Sequence, residues 1–148
     1  MAVTEINVAA SGGGSIPCMA AFPSGGPSTA VIAVPSIYGV NDDMAMVAER
    51  LASEGYIAVI PDPFWRDEDQ GVIGHDEEGR TRAFARMERT PFDQAFGDVA
   101  DVINDLRTRD DCNGKVTVMG FCYGGPFALV AAAKCGIQAG FSYHGSFM

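Results

Sequence analysis

Residues 116–130 read Val-Thr-Val-Met-Gly-Phe-Cys-Tyr-Gly-Gly-Pro-Phe-Ala-Leu-Val. A β-branched run enters a glycine-flanked cysteine, and a helical pattern leaves it within a few residues. A strand that becomes a helix over so short a span must reverse sharply. The residue at the apex is driven toward positive φ, where any Cβ is strained. Its neighbours must be small if the helix is to pack back onto the strand. Gly120 precedes Cys122 by two positions, and Gly124 and Gly125 follow it by two and three. The pattern G-x-C-x-G-G is the cysteine form of the nucleophile elbow.

Such a corner lifts the sulfur clear of the sheet. It places the thiol at a helix N-terminus, whose partial positive charge favours thiolate. It also frees the Tyr123 N–H to donate to a developing oxyanion. Two other readings compete. A dinucleotide-binding turn needs a middle glycine where this chain has Cys122. A buried structural cysteine is the second, since free cysteines are often buried.

The rest of the chain supplies the frame for that corner. Strands are expected over 3–9 and 16–22, joined by the Ser11-Gly-Gly-Gly-Ser15 turn into a hairpin. Residues 30–34, Ala-Val-Ile-Ala-Val, form a short continuous apolar run, as in a strand buried on both faces. Asn41, Asp42 and Asp43 offer N-caps to a helix carrying Met44, Val47, Ala48 and Leu51, and Gly55 falls where it should end. A second buried strand is expected over 56–60. Residues 64–79 read as a polar excursion over the surface. Thr90-Pro-Phe-Asp93 reads as a capping box opening a helix with Phe96, Val99, Ile103 and Leu106 on one face. Asn113-Gly114 reads as a turn, 115–119 as a strand, 123–134 as a helix and 138–143 as a last strand. A hairpin followed by strand–helix alternation predicts an α/β fold with a mainly parallel sheet and right-handed crossovers.

The chain's 148 residues are enough for one domain with a core, and 47% hydrophobic against 20% charged is a folded composition. A net charge of −9 argues against nucleic acid and against anionic membrane surfaces. Cys18, Cys112, Cys122 and Cys135 form no C-x-x-C pair, so reduced thiols in a cytoplasmic protein are expected. The N-terminus has no basic region followed by an apolar one, and no apolar run reaches membrane-spanning length. Nothing calls for a cofactor or a metal.

Three segments, in order, resemble the dienelactone hydrolase family, cysteine-dependent members of the α/β-hydrolase fold. They are Ile37-Tyr-Gly-Val-Asn41 after a buried strand, Gly55-Tyr-Ile-Ala-Val-Ile-Pro-Asp62, and Gly120-Phe-Cys-Tyr-Gly-Gly125. The resemblance implies hydrolysis of a carboxylic ester or lactone, with Cys122 as nucleophile. It implies an oxyanion hole from the N–H groups of Tyr123 and Ile37, and a substrate-carboxylate clamp at Arg80 or Arg82. Read alone, those arginines are ordinary solvated helix charges.

The chain departs from the family's pattern twice. The position before Ile37 holds Ser36 in place of a glutamate, and Ser36 reads better as a loop-capping hydroxyl. The family's triad Asp and His follow further strands after the nucleophile helix, and neither has a counterpart here. A thiol of ordinary acidity is only a few per cent thiolate at neutral pH, so turnover needs a base. His75 reads as an exposed loop residue. His144, after the last strand, is expected to point toward the crevice at the elbow, as a structural or pocket-lining residue in preference to a surrogate base. The expectation is therefore a single, incomplete α/β-hydrolase domain, the N-terminal part of a longer hydrolase. Its open edge strand over 138–143 would pair with a complementing C-terminal fragment or a second copy. The alternative is a non-catalytic binding or assembly module of the same fold.

Overall fold

The apolar run at 30–34 is the heart of the sheet in the computed structural model, which describes residues 2–146. It lies in strand β3 (Ser28–Val34), where Ala30, Ile32 and Val34 face one side and Val31 and Ala33 the other. Both faces are buried, which is why the strand reads as continuously apolar. Six strands align in the order β1-β2-β4-β3-β5-β6. β1 (Thr4–Ala9) and β2 (Ser15–Ala21) form the antiparallel hairpin, and β2 runs antiparallel to β4 (Ile57–Pro61). β4, β3, β5 (Cys112–Phe121) and β6 (Ala139–Tyr143) are parallel. The expected α/β architecture is the observed one.

Helices cover both faces. α1 (Asp42–Ser53) sets Met44, Ala48 and Ala52 on Ala21, Ala33 and Ala58. Of the three cap candidates, Asn41 does the capping: its Oδ1 accepts the Met44 N–H at 3.2 Å. Opposite, α3 (Phe92–Thr108) and α4 (Gly125–Lys134) bury Val99, Val102, Ile103, Leu106, Phe127, Ala128 and Ala131 against β3, β4 and β5. No helix among the described residues is long and apolar enough to cross a membrane. At the β6 edge Phe141 and Tyr143 stay 49% and 45% exposed.

Three local expectations fail. Thr90 caps nothing: its hydroxyl donates to the Arg86 carbonyl at 2.9 Å, and α3 starts from Pro91 without a side-chain cap. The capping box is absent because Thr90 still belongs to the turn that ends the preceding helix. Asn113 and Gly114 lie inside β5, where the register against β3 slips between Ser28 and Ala30. Gly114, at φ +84°, absorbs that irregularity instead of reversing the chain.

The third concerns residues 64–79, which are not all surface. Phe64 and Ile73 are buried in the main core, and the segment leads into a helix the sequence reading lacked. That helix, α2 (Glu77–Glu88), starts at Asp76, whose Oδ1 accepts the Gly79 N–H at 2.8 Å. Its hold on the protein is largely polar. Arg82, Arg86 and Arg89, spaced to share one helix face, all bind back to 67–71. Arg82 pairs with Asp69, Arg89 with Asp67, and Arg86 with backbone carbonyls. The helix's apolar contact is confined to Ala83 with Met87 beside it, too little to mark a helical period.

Candidate active site

The corner at Cys122 has the strain its sequence demands. Cys122 sits at φ 53°, one of two positive-φ non-glycine residues among those described, and it is exposed. It opens a short 3₁₀ turn (Cys122–Gly124) that runs into α4. Each neighbouring glycine answers to a contact. A Cβ on Gly120 would overlap the Gly124 carbonyl. One on Gly124 would overlap the Val34 carbonyl and stand 3.0 Å from the Pro35 oxygen. One on Gly125 would overlap Ser142 Oγ and lie 2.7 Å from the Gly145 Cα. The turn thus rests directly on the end of β3, which brings the Ser36–Gly39 loop beside the elbow. The buried-cysteine reading does not survive this placement.

That loop is tightly held. The Tyr38 N–H reaches Ser36 Oγ at 3.4 Å and the Gly39 N–H donates to the Ser36 carbonyl at 3.2 Å. Ser36 caps its own loop. The Ile37 N–H finds no protein acceptor among the described residues. The Tyr38 ring lies against His75, with centroids 3.9 Å apart and the planes tilted by 34°, so His75 is exposed yet in ring contact.

Tyr123 sends its side chain the other way, into the core. Its ring stacks on Phe64 at 5.4 Å and meets Phe127 edge-on at 5.2 Å. Its buried hydroxyl bonds to none of the described residues. Burial pushes its pKa up to about 12. A buried hydroxyl without a partner contributes desolvation cost and no bond. Tyr123→Phe is therefore expected to leave stability unchanged or raise it by up to about 1 kcal/mol, as read by chemical denaturation. A loss above that figure would show a hidden partner for the hydroxyl.

The side chain that meets the thiol is one the sequence reading missed. Ser146 Oγ lies 3.1 Å from Cys122 Sγ, and the Ser146 N–H donates to the Cys122 carbonyl at 3.2 Å. Only the fold brings this residue back over the elbow, so no local signal pointed to it. His144 is close by topology: Phe121 and Tyr143 are register partners on β5 and β6, and each is followed by a positive-φ residue. The His144 imidazole is exposed and makes no hydrogen bond among the described residues.

The two arginines considered as a clamp are placed differently. Arg82 holds Asp69 through two bonds of 3.1 and 2.6 Å, and this pairing keeps the Asp69 carboxyl below its ordinary range. Arg80 points about 120° around α2 from Arg86, with its guanidinium 5.7 Å over the exposed Phe84 ring. Phe64 and Trp65 serve the core: Phe64 is buried, and the Trp65 indole N–H donates to Asp98 at 3.0 Å. No three His, Cys, Asp or Glu side chains converge as a metal-ligand set among the described residues.

A mainly parallel sheet, an antiparallel lead-in and a strained residue between β5 and its following helix together define an α/β-hydrolase fold. Within that class the chain belongs to the dienelactone hydrolase family, whose model matches residues 16–148. It is 30% identical over 147 residues to carboxymethylenebutenolidase of Pseudomonas sp. (strain P51), covering 98% of this chain and 61% of that protein. The carboxymethylenebutenolidase of Pseudomonas putida is 27% identical, with 98% and 62% covered. A dienelactone hydrolase-like promiscuous phosphotriesterase from metagenomic libraries shares the fold, with a TM-score of 0.72 at 24% identity over 98% of this chain and 60% of that one. The chain thus spans about three-fifths of the length of the curated relatives it matches.

Proposed function

We propose that the protein acts in hydrolysis of carboxylic esters or lactones by acyl transfer to Cys122. The observation that carries this is the exposed thiol at φ 53° on a turn seated against the β3 carbonyl end. The Cys122 thiolate attacks the carbonyl carbon, and the C=O π pair moves onto oxygen. The Tyr123 and Ile37 N–H groups receive that oxyanion. Collapse restores the carbonyl, breaks the C–O bond and leaves a thioester plus an alkoxide that takes up a proton. Water then cleaves the thioester to carboxylic acid and regenerates the thiol. Both steps call for a base and an acidic partner, and none of these 148 residues is assigned either role. Ser146 holds the resting sulfur, and Ser36 shapes the donor loop. Arg82 serves as a carboxylate clamp by exchanging Asp69 for substrate; Arg80 is placed less well for this. His144 lines the rim beside the thiol.

A non-catalytic module of the same fold is favoured by one observation: no imidazole or carboxylate contacts Cys122 Sγ among the described residues. Stoichiometric chemistry separates the two readings. With p-nitrophenyl acetate, the hydrolase reading expects one acetyl group, mapped to Cys122 by intact mass and peptide digestion. The Cys122→Ala variant should lose that label and at least a hundredfold of the nitrophenolate release rate. Labelling spread evenly over Cys18, Cys122 and Cys135 would remove the nucleophile assignment.

A further inference from the structure

α2 buries a charge that the acyl-transfer scheme does not use. Arg86 is 0% exposed, and no carboxylate lies within ion-pair distance of it among the described residues. Its Nη1 donates to the Asp69 and Gly71 carbonyls at 3.0 and 2.7 Å, and its Nη2 to the Ile37 carbonyl at 2.8 Å. The guanidinium lies 4.2 Å over the Phe64 ring, and its Nε has no hydrogen-bond partner among the described residues. Carbonyls make its direct bonds, while Asp62, Asp69 and Asp67 act on the charge from beyond ion-pair range. Burying a guanidinium with no carboxylate in contact is costly. Three elements meet in this fork: α2, the 69–73 strap, and the loop that carries the candidate second oxyanion donor. A Cβ on Gly39, at φ +92°, would come within 3.1 Å of the Gly71 carbonyl and 3.3 Å of Arg86 Nη2. The Ile73 N–H donates to the Tyr38 carbonyl at 3.1 Å and closes the same clasp.

From this geometry we infer that Arg86 is a positioning residue for the oxyanion hole: by gripping the Ile37 carbonyl, it fixes the loop so that the Ile37 N–H faces the elbow. The grip and the N–H are on the two sides of one residue. The carbonyl lies in the Ile37–Tyr38 peptide plane and the N–H in the Ser36–Ile37 plane. The bonds from the Tyr38 N–H to Ser36 Oγ and from the Gly39 N–H to the Ser36 carbonyl close the turn around both planes, so fixing one restrains the other. The fork matters as much as the charge, since a guanidinium spans carbonyls in two directions and an ammonium does not. This inference rests on the acyl-transfer reading, and its test keeps the two apart.

Acylation of Cys122 by p-nitrophenyl acetate builds negative charge on oxygen and uses the hole. Alkylation by iodoacetamide needs only an accessible thiolate. The ratio of the two rates at Cys122, measured in the same full-length chain, therefore reports the hole and cancels changes in thiol exposure. Removing an oxyanion donor outright typically costs about 10²–10³ in rate. Arg86→Lys is expected to lower the acylation-to-alkylation ratio about tenfold, and Arg86→Met about a hundredfold. A fall of both rates together, or a ratio within twofold of wild type in Arg86→Lys, overturns the proposal. Should either variant fail to fold, wild type itself decides by NMR. The Arg86 Nη–H signals must be slowly exchanging and must correlate across the hydrogen bond with the Ile37 carbonyl carbon; their absence overturns the proposal. The underlying reading fails differently. In that case wild type shows no acylation of Cys122 beyond that of the other thiols, and both fall together.

Discussion

Gly124→Ala is expected to destabilise the protein by about 3 kcal/mol or more, toward the upper end of what overpacking a close-packed interior costs. The backbone of Gly124 is not the difficulty: φ −70° and ψ −17° suit any residue. The obstacle is space. The added methyl would overlap the Val34 carbonyl and press on Val34 C at 2.7 Å and the Pro35 oxygen at 3.0 Å. These atoms are backbone at the end of a central strand, where Val34 is in register with Gly120 of β5. They cannot turn aside as the tip of a side chain would. The elbow has to lift off β3, and lifting it separates the Tyr123 N–H from the Ile37 loop. Denaturant midpoints should fall steeply, and any folded fraction should acylate Cys122 more slowly than it is alkylated. A change below 1 kcal/mol would mean that the elbow does not rest on β3 as described.

The second large effect is at Asp98, on the buried face of α3. Its carboxylate takes Arg66 Nη1 at 2.7 Å and Nη2 at 2.9 Å, together with the Trp65 indole N–H at 3.0 Å. This bidentate clasp ties the segment after β4 to α3 and sets the start of the path toward Arg86. Its two charges are unequally buried: the Asp98 side chain is 3% exposed and that of Arg66 is 30% exposed. The consequence is an asymmetry between the single variants. Arg66→Ala strands a carboxylate in the interior with one indole donor and is expected to cost about 3–5 kcal/mol. Asp98→Ala leaves an arginine that can turn to water and is expected to cost about 2 kcal/mol, part of it from the unmet indole N–H. The double variant should fall well short of the sum, because the stranded carboxylate is then gone. Thermal and urea denaturation of the three variants check this. Equal single losses that simply add would show that the pair is not acting as a unit.

These effects mark where sequence and structure divide. The parallel sheet was legible because burial on both faces of β3 and β4 writes continuous apolar runs. The elbow was legible because positive φ and close packing leave few residue choices at 120, 124 and 125. α2 was not legible, because its buried face is only Gly79, Ala83 and Arg86, and its polar partners are carbonyls and aspartates brought from another segment. Thr90-Pro-Phe-Asp93 misled for a related reason. A capping motif is only an offer of hydrogen bonds, and the end of α2 took the Thr90 hydroxyl first.

By itself, then, the chain determined its α/β class, its lead-in hairpin and the one strained cysteine, all consequences of local sterics and of hydrophobic periodicity. Which groups meet that cysteine was decided only by tertiary structure. Ser146 over the sulfur and Arg86 behind Ile37 are contacts across 24 and 49 residues. Polar contacts of that span depend on where loops and helix ends come to rest, and no periodic pattern along the chain encodes them.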